Sequence, residues 1–331
     1  MFKYILKRIG ISLLILLGVS FTLYALLRCM PTDFVEMKIL AFQQSTPEGV
    51  TDEFIKEMYK AYGLDGNILD GYFAWLGNVC RFDFGKSFIS QRPVLSEIFN
   101  PDRLGTSFFV AAIATVFEFL IAIPLGVTAA RHQYSLRDYV VTVFVLIGIS
   151  LPSFFFGQML KDLFANKLGW FPISGMKDPS FSYEPGSVEA LIDYLRHMFL
   201  PILTVVVLSI GGRMRLTRTN MLEVLNSDYI RTARAKGLQE NKVIYKHAFR
   251  NTMIPLVTGL AGLIPGLFSG AMITESVFDL TGIGSYALNA MQQGDIPVIM
   301  TYNMFLAFLS VTGVLLADLM YGVVDPRVKL A

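Results

Sequence analysis

Apolar residues gather in six blocks, roughly 9–27, 105–130, 139–160, 198–219, 253–278 and 298–324, and charge is scarce inside each of them. A helix that crosses the hydrocarbon core of a bilayer needs about 20 mostly apolar residues. The pattern therefore predicts an all-α polytopic membrane protein with six transmembrane helices. Between the first two blocks, residues 28–104 carry eleven acids and eight Lys/Arg. That segment is too polar to span, and it is expected to pack as a small external cap over a pore mouth. The chain is thus read as 1–104 (tail, first helix and external segment), a core of 105–324 that contains a polar stretch at 220–251, and a tail of 325–331. The first block follows Lys3, Lys7 and Arg8, as a signal peptide would. Its 19-residue apolar run is longer than the usual 7–15 and no small-x-small cleavage site follows, so a retained helix is expected.

Lys and Arg near the spans set the orientation. Three lie in the N-terminal tail, two in 131–138 (Arg131, Arg137), nine in 213–251 and two in the C-terminal tail, against five acids in the same regions. Loop 279–296 has neither Lys nor Arg. Both termini are expected on the cytoplasmic side. Overall composition agrees: 53% hydrophobic and 16% charged residues, with a mean hydropathy of +0.53, against about 25% charged for a soluble domain. This excludes a disordered chain, a nucleic-acid binder and most cytosolic enzymes.

Proline and glycine recur within the spans (Pro124, Gly126, Pro152, Pro201, Pro255, Gly259, Gly262, Pro265, Gly266, Gly270). They imply kinked, closely packed helices, because neighbouring helices or water must take up the freed backbone groups. No catalytic pattern emerges. Gly85-Lys86-Ser87 resembles the end of a phosphate loop, but the glycine required five residues earlier is Cys80. His132, His197 and His247 are too dispersed for a metal site. Cys29 and Cys80 fall on the same outer side, so a disulfide and two separate thiols both remain open. Ionisable groups inside spans are functional candidates, since burying a charge in hydrocarbon costs at least about 2.5–3.5 kcal/mol. Glu118, Glu275 and Asp318 are the candidates for a translocation pathway; a purely structural hydrogen bond is the alternative for each. An ion- or proton-coupled secondary transporter would need inverted repeats and a midplane ion site, and neither stands out.

The segment 213–251 is the most informative. Ser227 or Asp228 can cap a two-turn helix over Tyr229–Lys236, with Arg234 and Lys236 at its negative end and Gly237 as its stop. Ile230, Ala233 and Gly237 share one small, flat face for close approach by another protein, flanked by Arg231 and Arg234. A basic loop drawn to anionic headgroups is the competing reading.

The run Tyr229-Ile-Arg-Thr-Ala-Arg-Ala-Lys-Gly237-Leu238, followed by His247-Ala-Phe-Arg-Asn-Thr-Met-Ile-Pro255, resembles the permease subunits of bacterial ATP-binding-cassette importers, most closely the B-type permeases of the oligopeptide/dipeptide/nickel family. Of the general pattern Glu-Ala-Ala-x3-Gly-x9-Ile-x-Leu-Pro only Ala233 and Gly237 survive, a departure usual in the peptide subfamily. Tyr62-Gly-Leu-Asp65, Trp75-Leu76 and Asp83-Phe-Gly-Lys-Ser87 look like the external segment of B-type subunits. Leu151-Pro-Ser-Phe154, Trp170-Phe-Pro172, Glu275-Ser-Val-Phe278, Gly282-Ile-Gly284, Asp295-Ile-Pro297 and Asp318-Leu-Met-Tyr321 match further blocks in order, with Thr281 where proline is common. The resemblance implies a type I importer transmembrane fold in the bacterial plasma membrane. It makes Tyr229, Ile230, Arg231, Ala233, Arg234, Ala235, Lys236, Gly237 and Leu238 a coupling helix for a cytoplasmic ATPase. The implied partners are a C-type permease, two ATPase subunits and an external solute-binding lipoprotein. ATP and Mg belong to the ATPases; this chain binds no cofactor and is not itself an enzyme.

Overall fold

The computed structural model describes residues 2–29, 35–36, 39–40, 52–61, 66–180, 184, 186–258 and 262–324, with side chains outside the description at 2–5, 54, 61, 254–258 and 317–324. Among the described residues the fold is helical, apart from one isolated antiparallel bridge between Lys86 and Pro93. The chain forms two compact units, one of residues 1–104 with 286–331 and one of residues 105–285. The expected core of 105–324 includes the last helix, whereas its contacts group it with the N-terminal segment.

In the first unit, α1 (Phe2–Arg28) packs along α15 (Ile296–Val324). The external segment contributes α2 (Asp52–Ala61), α3 (Ile68–Val79) and α4 (Val94–Ile98). Its core is aromatic: Tyr24 and Tyr72 lie buried with Ile296 and Met300, and the rings of Tyr24 and Tyr72 meet edge-on at 5.8 Å. The Ser20 and Tyr72 hydroxyls are 2.9 Å apart, which ties α3 to the span. Both cysteines are free and exposed.

In the second unit, α5 (Pro101–Arg131) starts with Pro101, and Asn100 Oδ1 accepts from the Asp102 amide at 2.9 Å, a start that uses a residue lacking the amide proton where none is needed. Next come α6 (Leu136–Ser150) and α7 (Ser153–Leu160), the latter continuing as a π-helix over Lys161–Lys167. Expected as one span at 139–160, this pair bends by 101°. Leu151 precedes Pro152, and clash with the proline ring keeps it extended (φ −86°, ψ 129°). The long α8 (Val188–Leu225) absorbs Pro201 without a break. After α9 (Asp228–Ala235) and α10 (Glu240–Lys242), a π-helical turn Val243–Ala248 leads into α11 (Phe249–Thr258). The expected span at 253–278 is not one continuous helix: α12 (Leu263–Ser269) and α13 (Met272–Val277) are separated at Gly270, whose φ of 69° suits only glycine without strain. Then α14 (Ile283–Gln292) leads towards α15. Four described helices are long and apolar enough to cross a membrane, Leu6–Arg28, Val94–Arg131, Val188–Leu225 and Ile296–Leu316, and the bent pair makes up to five. The expected six are therefore reached only if the broken 249–277 region also crosses.

Close packing in this unit relies on missing side chains. A Cβ at Gly126 would meet Thr217 and the Met214 carbonyl, and one at Gly211 would meet Ile149. These contacts let α5 and α6 lie against α8.

Candidate functional site

The segment after α8 builds a short helix fixed on one side and bare on the other. Ser227 stands at the N-cap of α9, but its hydroxyl donates back to the Val224 carbonyl at 2.6 Å instead of capping the helix. At the far end Gly237 takes φ 74°, and the amides of Gly237 and Leu238 donate to the Arg234 and Ala233 carbonyls, so the helix stops where a left-handed residue is available. Ile230 and Ala233, 0% and 8% exposed, sink into a cluster with Val127, Ala130, Met221, Leu225, Val243, Ile244 and Ala248. The face expected to meet another protein is thus spent on the chain's own core. What remains open is the opposite face: Tyr229, Arg231, Arg234, Ala235, Lys236 and Gly237 are exposed, and Leu238 is half-buried against the cluster. Arg234 grips Glu240 through Nη2 at 2.8 Å and Nε at 3.2 Å, closing the turn between α9 and α10. That guanidinium holds the Glu240 carboxyl below the usual carboxylate range.

Of the three span carboxylates, Glu118 and Glu275 are buried in different surroundings, and Asp318 lies outside the described side chains. Glu118 accepts from Arg213 Nε at 3.0 Å, and the same guanidinium stacks on Phe119 at 4.6 Å. Five residues further along α8, Arg218 binds Asp138 through both Nε (2.9 Å) and Nη2 (2.8 Å). Asp138 also accepts from the Tyr134 amide, and the hydroxyl of the N-cap Ser135 accepts from the Asp138 amide, which together fix the carboxylate at the start of α6. Arg213 and Arg218, which the sequence pattern counts among the basic groups of the cytoplasmic segment, are therefore bonded inward and hold α8 to α5 and α6.

Glu275 is 0% exposed and forms no ion pair among the described residues. Its Oε1 accepts from Ser107 Oγ at 2.7 Å and from the Ala271 amide at 3.1 Å; its Oε2 accepts from the Ser285 amide at 2.8 Å. Ser107 Oγ in turn accepts from the Ile283 amide at 2.9 Å. A Cβ at Gly270, Gly282 or Gly284 would run into the Glu275 carboxylate, so the glycines around it make room for the knot. Beside it, Thr281 donates to the Met176 sulfur at 2.8 Å, which gives this position a use in the turn. No single sequence signal marks Ser107 as the partner, because it is 168 residues away along the chain.

In the first unit, the phosphate-loop lookalike has a structural use. Ser87 Oγ donates to Asp295 Oδ2 at 2.6 Å and the Phe88 amide to Oδ1 at 3.1 Å, with Asp295 1% exposed. Nearby, Arg103 bonds Glu97 at 2.5 Å and covers the Tyr286 ring at 4.0 Å. Burial pushes the Tyr286 hydroxyl up to about 12, and the Glu97 charge adds to the effect. Among the described residues no group of His, Cys, Asp and Glu could hold a metal ion.

Residues 122–330 match the family described as binding-protein-dependent transport system inner membrane component. The oligopeptide transport system permease protein AppB of Bacillus subtilis is 34% identical over 329 residues, covering 99% of this chain and 100% of that protein. The di/tripeptide transport system permease protein DppB of Pseudomonas aeruginosa is 32% identical over 343 residues, covering 99% of each chain.

Proposed function

Since this chain belongs to the binding-protein-dependent transport system inner membrane components, and is a B-type permease subunit of an ATP-binding-cassette importer in the bacterial inner membrane, we infer that it carries peptides and is driven through α9. The observation that supports this is the two-sided seating of that helix. Ile230 and Ala233 anchor it rigidly in the core while Tyr229, Arg231, Arg234, Ala235 and Lys236 face outward together. A short helix with one face locked and one face free transmits a push, because movement of whatever grips the free face must move α8 and α11 with it.

In this reading Tyr229–Leu238 seats in a cytoplasmic ATPase subunit, both termini are cytoplasmic, and residues 28–104 face outward towards a solute-binding lipoprotein. A C-type permease supplies the other half of the pathway. ATP and Mg act in two ATPase partners, and no reaction is catalysed by this chain. The relatives' cargo, oligopeptides in one and di- and tripeptides in the other, gives peptide as the substrate class. The span carboxylates divide: Glu118 and Glu275 serve as helix-fixing groups, and Asp318 stays a pathway candidate.

The test is co-purification of the tagged chain from native membranes, comparing wild type with Arg231→Glu, which alters the free face and leaves Ile230 and Ala233 untouched. Wild type should bring the second permease, the ATPases and the lipoprotein; the variant should keep the permease and lose the ATPases. A wild-type chain that purifies alone and transports in vesicles without ATP would sink the importer reading.

A further inference from the structure

Two helices of the external segment differ in what they leave open. On α2 the exposed positions are Asp52, Glu53, Lys56, Glu57 and Lys60, a face for water. In contrast, α3 carries a single charge, Asp70, in its 12 residues. Tyr72 is buried, and Ile68, Trp75 and Leu76 pack with it on the aromatic core. At about 100° per residue, Leu69, Phe73 and Cys80 fall together beside that inward stripe. All three are exposed, Leu69 by 49% and Phe73 by 64%. The rest of the circumference holds Asp70, Ala74, Gly77 and Asn78.

The depth of α3 is read against α1. Arg28, the last residue of α1, donates to the Gly66 carbonyl at 3.2 Å. Further in, the Tyr24 hydroxyl lies where a Cβ at Gly71 would be, so glycine lets α3 ride on the span. The Phe21 and Tyr72 rings meet edge-on at 5.2 Å, and the Tyr72 hydroxyl reaches Ser20 at 2.9 Å and donates to the Leu17 carbonyl at 3.4 Å. Residues 20–24 stand four to eight positions inside Arg28, which is about 6–12 Å along the helix. The apolar run of α1 extends to Leu27, so this stretch of it lies in hydrocarbon, and the middle of α3 lies beside it. The second span of this unit keeps the same register, because Met300, four residues inside the start of α15, joins the same cluster. Tyr24, Tyr72 and Trp75 are also the residue types that collect where hydrocarbon meets headgroups. Finally, the exposed Phe21 of the span, Tyr72 and the exposed Phe73 form a continuous row of rings, so the open flank of α3 extends the apolar surface of α1.

We propose that α3 is an interfacial membrane helix, whose Leu69–Phe73–Cys80 flank rests among the acyl chains of the outer leaflet while Asp70 and Asn78 stay at the headgroups. The occupant of this flank is phospholipid. An apolar flank beside a polar one, on a helix seated a few ångströms inside the boundary, is the pattern of a helix that lies in the interface. The choice of leaflet rests on the orientation given under the proposed function; the seating itself rests on the contacts with α1. Such a float fixes the height of the external segment. Ile55, Met58 and Tyr59 of α2 pack on the same cluster, so the charged face of α2 is held at a set level on the water side.

The experiment uses the assembled importer, with its second permease and ATPases, in vesicles of phosphatidylethanolamine and phosphatidylglycerol. A nitroxide is attached at Phe73→Cys, or at Lys56→Cys on α2, in a Cys29→Ser, Cys80→Ser background. Power saturation then compares collisions with oxygen, which concentrates among acyl chains, and with a neutral nickel chelate, which stays in water. At position 73 oxygen should dominate, and the ratio should report a depth of about 5–10 Å inside the headgroup boundary. At position 56 the nickel chelate should dominate. Both replaced side chains are exposed, so neither label disturbs the core. The proposal is overturned if the nickel chelate dominates at 73 as it does at 56, which would place α3 in water above the membrane. It is equally overturned if both collision rates at 73 are low, which would mean that the partner permease or another protein covers the flank. Orientation is scored separately, by labelling Cys29 of a Cys80→Ser chain in spheroplasts with a membrane-impermeant maleimide. Labelling without permeabilisation is expected; labelling only after permeabilisation would overturn the outer leaflet, and with it the orientation, whatever depth is read at 73. Co-purification of the ATPases is scored on the same preparations, so failure of the importer reading is seen apart from both.

Discussion

Glu118 and Glu275 are both buried carboxylates of the same helical unit, yet they are stabilised by different chemistry. Glu118 faces a guanidinium that is itself stacked on a ring, and the pair locks α5 to α8. Glu275 has two backbone amides and one serine hydroxyl, and those neutral donors draw the start of α5 together with the turns at 270 and 282–285. The difference separates a strut between two regular helices from a clasp on irregular backbone. A charge pair joins helices whose own backbone bonds are already complete. A carboxylate with neutral donors takes up amides that a broken helix leaves unpaired, as the non-helical turn after Gly270 does.

The largest expected effect breaks the clasp. Glu275→Ala leaves three buried donors without an acceptor, each costing about 1–3 kcal/mol. Thermal unfolding of the detergent-solubilised importer should show a loss above about 3 kcal/mol, and a loss below about 1 kcal/mol would mean that the knot is not formed. Next is the strut. Glu118→Gln should destabilise by about 2–4 kcal/mol by stranding the Arg213 guanidinium in a largely buried site, whereas Glu118→Gln with Arg213→Met should recover much of that loss, because replacing a buried pair is far cheaper than halving it. A double variant as unstable as the sum of its parts would contradict the pairing. A smaller change sharpens the contrast: Gly282→Ala pushes a methyl group against the Glu275 carboxylate and should cost about 1–3 kcal/mol, whereas Gly105→Ala, where added atoms meet nothing within 4 Å, should be neutral on the same assay.

The smallest effect concerns an exposed carboxylate, Glu240. Its folded pKa is lowered by Arg234, so the contact adds stability above the unfolded value of about 4.3 and loses it as pH falls through the lower folded value. The protection factors of the Gly237 and Leu238 amides, observed exchange divided into the intrinsic rate at the same pH, should therefore fall on acidification below about pH 4 in wild type, and Glu240→Gln should show the lower protection already at neutral pH. Because both side chains are nearly half exposed, solvent screening keeps this shift small.

Much of this was legible in the chain. Charge-poor blocks marked the places of the four long apolar helices, since each must satisfy its backbone internally in lipid and so needs a continuous apolar run. The short helix after α8 was visible from its small residues, its basic end and Gly237. Ile230 and Ala233, expected on an outward face, lie in the core for a physical reason: a helical face of small and apolar residues fits a foreign groove and its own core equally well, and spacing alone does not say which is nearer. The inward bond of Arg213 leaves no mark in the sequence, because its partner, Glu118, lies 95 residues away.

The sequence by itself determined that the chain lives in a membrane, where its long apolar helices lie and where the short helix after α8 ends, because hydropathy and turn glycines act over a few residues at a time. Only the tertiary structure decided which charges are consumed and which stay available. Arg213, Arg215 and Arg218 stand within six positions of one another on one helix, and two of them are neutralised inside the unit while the third is left facing out. Their fates differ because the 3.6-residue period turns each toward a different neighbour, and the neighbours are set by how the helices pack.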